Sequence, residues 1–165
     1  AIAFVKDTLF PFAEAALDDF LDKWGAAPEV AAILAEVLGP DARVTLRRWM
    51  AEDAKATPLK ALQGLIWRAG FEDGRLRGHL WPDVAPCLRA WHAGGLALAV
   101  YSSGSVGAQK LLFGHSVAGD LVPLFSGFFD TQMGAKREAA SYARIAVAMG
   151  RPPGAILFLS DVAEE

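Results

Sequence analysis

Between Asp7 and Gly70 the apolar residues return at helical spacing. Ala13, Ala16, Leu17, Phe20 and Trp24 form one stripe, and Leu59, Leu62, Leu65, Ile66 and Ala69 form another. No strand is needed in this half, and Pro28, Gly39 and Pro40 divide its earlier part into hairpin-like helical pieces. Thr57-Pro58 places a capping hydroxyl ahead of a proline at the first helical position, and Gly70 suits the helix stop. After Gly78 short apolar runs alternate with helical stretches. Strands are predicted at 96–101, 125–129 and 155–159, and helices near 82–93, from about 106, and near 137–149. Such alternation predicts an α/β fold with a parallel sheet and crossover helices, where ligands collect beyond the carboxyl ends of the strands.

The 165 residues are about one domain's worth of chain, and 53% hydrophobic against 21% charged residues exclude intrinsic disorder. The longest charge-free run, 90–109, is broken by His92, Gly94, Gly95 and several serines, so no membrane span is expected. A net charge of −3 argues against a nucleic-acid-binding surface. The lone Cys87 excludes an internal disulfide, and no signal segment opens the chain, so a cytoplasmic setting is expected. The charge is uneven: 43–77 carries eight basic and four acidic residues, whereas the remainder is net −7. A basic helical lid would attract an anionic substrate, although an exposed helix face accounts better for most of these side chains; Lys55 and Lys60, flanking Thr57-Pro58, are the two to test.

Three predicted strand ends carry polar residues: Ser102-Ser103-Gly104-Ser105, Asp130-Thr131 and Ser160-Asp161. In the first, hydroxyls, a permissive glycine and the N–H groups of a helix start converge, which makes an anion site; the same residues also make ordinary loops. Asp161 would be held rigidly after 156–159, with Glu165 four residues on, and oxygen ligands of this kind suit Mg²⁺. The alternative is that Asp161 caps a following helix. Lys136, beside Gly134-Ala135, is placed to neutralise a phosphate or simply to be solvated. His79, His92 and His115 lack metal spacing, Cys87 has no activating neighbours, and the five tryptophans read as core. No Walker loop, GxGxxG, CxxC or HExxH occurs.

Taken together, the segments Phe4-Val5-Lys6-Asp7-Thr8-Leu9-Phe10-Pro11, Lys55-Ala56-Thr57-Pro58-Leu59-Lys60-Ala61-Leu62-Gln63-Gly64, YSSGSVGAQKLLFGHS at 101–116, Phe129-Asp130-Thr131 and Leu159-Ser160-Asp161 closely resemble the enolase-phosphatase family of methionine salvage. That family lies in the haloacid dehalogenase-like superfamily. The resemblance implies a Rossmannoid parallel-sheet core, in part at 79–165, with a helical cap at 1–78. It implies a Mg²⁺-dependent enolisation and dephosphorylation of 2,3-diketo-5-(methylthio)pentyl 1-phosphate to the acireductone, by a monomer acting on a small phosphorylated diketone. By the same resemblance Ser102, Ser103 and Lys136 bind the substrate phosphate and Asp161 binds the metal. The family's first motif, Asp-x-Glu-Gly-Thr-Thr, ends a central strand and supplies the nucleophile. It would stand a few residues before Phe4, where this chain has Ala1-Ile2-Ala3. The chain starts without Met and stops just after an apolar run, so a fragment lacking the central strand and the C-terminal part of the core, inactive and unstable alone, is expected. A non-catalytic phosphate-ligand-binding descendant is the alternative expectation.

Overall fold

A computed structural model describes residues 4–160 and 162. The chain forms two compact units, the first ending at Leu76 and the second starting at Arg77.

The first unit is helical throughout. A π-helical turn at Val5–Leu9 runs directly into α1 (Phe10–Trp24), followed by α2 (Pro28–Ala35), α3 (Ala42–Ala51) and α4 (Thr57–Glu72). Their apolar stripes meet in one core of Ala13, Ala16, Leu17, Leu21, Val30, Leu46, Leu59, Leu62 and Ile66. The Asp41 carboxylate caps α3, accepting from the Arg43 and Val44 N–H groups at 2.8 and 3.3 Å. Trp67 ties α4 to the start of α1 by donating its indole N–H to the Leu9 carbonyl at 2.8 Å.

Two local expectations are corrected here. The residue capping α4 is the extended Ala56, with no side-chain cap; Thr57 and Pro58 are already helical, because proline's fixed φ fits the first turn equally well one position later. Nor does Gly70 stop the helix. It is buried within α4, where a Cβ would lie 2.5 Å from the Phe12 ring, so its smallness serves close packing. The chain turns instead at Gly74, whose φ of 81° suits glycine.

The second unit contains α5 (Val84–Ala93), β1 (Leu98–Tyr101), α6 (Val106–Gly114), β2 (Phe125–Phe129) and α7 (Ala139–Ala148). β1 and β2 pair in parallel, with Ala99 opposite Gly127, Val100 opposite Phe128 and Tyr101 opposite Phe129. α6 is their crossover, and it packs on β2 through Phe113, Phe125 and Phe128, whose ring centroids lie 4.7–6.3 Å apart. The third predicted strand is not observed as one. After a 3₁₀ turn at Pro153–Ala155 the run 156–159 pairs with no described strand, and without a neighbour its backbone makes no ladder. Only Phe158 of that run is packed, against Tyr101 and Tyr142; Leu157 and Leu159 are 82% and 65% exposed. The tryptophans also depart from expectation: Trp24, Trp81 and Trp91 are exposed.

Among the described residues no helix is long and apolar enough to cross a membrane.

Candidate functional site

The carboxyl ends of β1 and β2 stand side by side, so the loops that leave them share one edge of the second unit. From β1 the chain passes into residues 102–105 and then α6. Ser102 is half-buried and Ser103 exposed. The Ser102 N–H donates to the Phe129 carbonyl at 3.0 Å, extending the ladder by one step, and its Oγ accepts from the Gly104 N–H at 3.2 Å. That leaves the hydroxyl proton of Ser102 to be offered outward. Ser105 caps α6, its Oγ accepting from the Ala108 N–H at 3.2 Å.

The helix start is less open to an anion than the sequence suggests, because Asp130 already uses part of it. One carboxylate oxygen accepts from the Val106 N–H at 3.2 Å and the other from the Gln132 N–H at 3.0 Å. The end of β2 is thus tied to the start of α6 by a carboxylate that favours the positive end of the helix dipole. The outer part of the loop holds Ser102 and Ser103, and the segment that follows β2 carries a cation.

Lys136 is that cation. Four consecutive backbone carbonyls leading to it are each held by a side chain: Met133 by Arg144 Nε at 2.7 Å, Gly134 by Tyr101 Oη at 2.8 Å, Ala135 by Ser141 Oγ at 2.8 Å and Lys136 by Tyr142 Oη at 2.6 Å. Gly134, with a φ of 113°, admits this path; a Cβ there would lie 2.3 Å from Ser141 Oγ. The ammonium lies 5.9 Å from the ring centre of Tyr101 and 6.0 Å from that of Phe158. The Lys136 ammonium thus lies by the side chain that ends β1.

Of the residues singled out in the sequence, Ser102 and Ser103 lie in the loop that leaves β1, and Lys136 lies in the segment that follows β2. Asp161 and Glu165 lie outside the described residues. Lys55 is in the other unit, paired with Asp53 at 2.6 Å, and its hydrogen bond and charge hold the Asp53 carboxyl below the usual aspartate range. Arg43 and Arg47 pair with Asp18 and Asp22, and Arg75 pairs with Asp73, so half of the eight basic residues of 43–77 are already matched. Lys60 is exposed on α4. The residues missed from the sequence are Tyr101, Gln109 and Tyr142, whose partners are backbone carbonyls; only their polarity beside apolar positions marked them.

As to a metal, no three His, Cys, Asp or Glu side chains group as ligands among the described residues. Asp130, the carboxylate closest in sequence to the site, has both oxygens engaged by backbone N–H groups. By themselves the described residues do not fit a divalent cation.

A parallel strand pair with a crossover helix, a serine loop at the strand end and a helical unit fit a haloacid dehalogenase-like α/β protein. The crystal structure of the UTR4 protein (Unknown transcript 4 protein) from Saccharomyces cerevisiae superposes with a TM-score of 0.75, at 31% identity, over 92% of this chain and 71% of that one. The enolase-phosphatase E1 of Pseudomonas aeruginosa strain UCBPP-PA14 is 58% identical over all of this chain and 77% of its own length. Those of Stenotrophomonas maltophilia strain K279a and Azotobacter vinelandii strain DJ are 55% and 53% identical, again over the whole chain and over 75% and 77% of their lengths. The chain belongs to the enolase-phosphatase E1 family. No family model matches it.

Proposed function

We propose that the protein acts as a phosphoric monoester hydrolase of methionine salvage, enolising 2,3-diketo-5-(methylthio)pentyl 1-phosphate and removing its phosphate to give the acireductone. The observation that carries this reading is the 58% identity to an enolase-phosphatase E1 along the entire chain, which includes the loop at the end of β1.

In this reading the Ser102 hydroxyl, already accepting from Gly104, donates its own proton to a phosphate oxygen, and Ser103 contributes from the exposed side of the loop. Lys136 offsets phosphate charge, and the side-chain bonds to carbonyls 133–136 fix its backbone so that little freedom is lost on binding. The helical unit is the proposed cap. Haloacid dehalogenase-like phosphatases are generally metal-dependent. Mg²⁺ is the proposed ion and Asp161 its proposed ligand; when bound, such an ion neutralises charge on phosphoryl oxygens. The proposed setting is a cytoplasmic monomer with a small-molecule substrate.

Asp-x-Glu-Gly-Thr-Thr does not occur within residues 1–165, and the phosphoryl-accepting carboxylate is assigned to no residue here. The test therefore compares kcat/KM for the diketo phosphate and for generic phosphomonoesters, in a polypeptide that carries this segment ahead of Ala1. A clear preference for the diketo phosphate is expected. Lys136→Ala should weaken phosphate affinity roughly tenfold, as for loss of a charge-assisted contact. Equal turnover of generic phosphomonoesters, or none of either, contradicts the reading.

A further inference from the structure

Gln109 is a polar residue on the first turns of α6, 6% exposed, in a position where an apolar side chain would ordinarily pack. Its Nε2 donates to two backbone carbonyls at once, Gly104 at 2.8 Å and Phe129 at 2.9 Å. Those carbonyls belong to the two segments that form the site: Gly104 to the serine loop and Phe129 to the end of β2. Phe129 also accepts from the Ser102 N–H, so one oxygen joins the start of the loop to Gln109. The orientation of the amide follows from chemistry, since the reverse placement would set its oxygen against two carbonyl oxygens.

The same amide strands its other atom. Gln109 Oε1 is buried and has no donor among the described residues. A buried acceptor left without a partner is destabilising, and an apolar side chain of equal length would avoid it. The two bonds of the Gln109 NH₂ group hold the loop while leaving that oxygen unpaired.

We propose that Gln109 is a positioning residue for phosphate binding, its NH₂ group holding the loop 102–105 against the end of β2 so that Ser102 and Ser103 are pre-set for the anion. The inference rests on the reading of that loop as the phosphate site. It differs from a packing role in a definite way: removing the amide should weaken binding without weakening the fold. Gly104 lies in an exposed loop, and Phe129 keeps the Ser102 N–H as a donor.

The experiment titrates inorganic phosphate into the polypeptide that carries Asp-x-Glu-Gly-Thr-Thr ahead of Ala1 and into its Gln109→Met and Gln109→Glu variants by calorimetry, with a thermal melt of each. Gln109→Met should raise the Kd for phosphate about tenfold while its Tm stays level or rises. Gln109→Glu, which sets a carboxyl against the two carbonyls in place of the NH₂ group, should also bind more weakly. Unchanged affinity in Gln109→Met overturns the inference and leaves the phosphate-loop reading standing, as does a Tm that falls along with affinity, which would mark a packing role. A chain that does not respond to phosphate at all overturns both. A measurement on the unsubstituted chain guards against variants that fail to fold: both Gln109 side-chain amide protons should exchange slowly, and their resonances should shift as phosphate saturates. Rapid exchange of those protons, or resonances unmoved at saturation, overturns the inference.

Discussion

A Cβ at Gly78 would lie 2.0 Å from the Leu112 carbonyl oxygen and 2.9 Å from its carbon, so the obstacle is backbone and no side chain can swing aside. Gly78 also donates to the His115 carbonyl and accepts from the Val117 N–H, which fixes it there. Gly78→Ala should cost the second unit about 2–3 kcal/mol, read from denaturant unfolding; an unchanged midpoint would show that this approach is looser. At this scale the sequence was only partly legible. The serine loop could be read because hydroxyls and glycine between a strand and a helix carry local meaning. Gln109 and Tyr142 could not, since their roles depend on which carbonyls the fold brings near: Phe129 is 20 residues from Gln109. Thr57 misled because proline tolerates either of two first-turn positions, leaving the cap to Ala56.

At the scale of elements, period alone located most of the structure. The 3.6-residue repeat marked α1 and α4, and Phe125–Phe129 is a strand at its predicted limits. The run 156–159 looked the same by composition, yet strand formation depends on a neighbour that composition does not reveal. The ends of α4 give an electrostatic prediction. Its C-terminal Asp73 accepts a hydrogen bond from Arg75, which holds its carboxyl below the usual aspartate range. A carboxyl lowered on folding adds stability that is fully present above its unfolded pKa of about 4 and is lost as pH falls through the lower folded value. Asp73→Asn should therefore differ from the unsubstituted chain above about pH 5 and converge with it in acid. The pair is exposed, so the difference should stay within about 1 kcal/mol. A difference that persists below the folded value would assign the effect to something other than this pair.

At the scale of the whole molecule the two units are unequally built. The first buries Leu17, Leu46, Leu62 and Ile66 almost completely in a shared core. In the second, the buried apolar side chains among the described residues are Ala85, Leu121, Ile145 and Ala146, and no described strand pairs with the outer edges of β1 and β2. Less buried area means less stabilisation, so hydrogen exchange should protect α1 and α4 longer than β1 and β2, and the chain should melt in two steps. Leu62→Ala should lower the upper step alone, by about 2–5 kcal/mol; a single cooperative transition would contradict this division.

The phosphate site is the claim on which the functional account turns, and an amide correlation spectrum of the ¹⁵N-labelled chain titrated with inorganic phosphate tests it most directly. The account predicts saturable shifts at residues 102–106 and at Lys136, with the basic helices of 43–77 unmoved. Shifts confined to 43–77, or none at the serine loop at saturating phosphate, would contradict it.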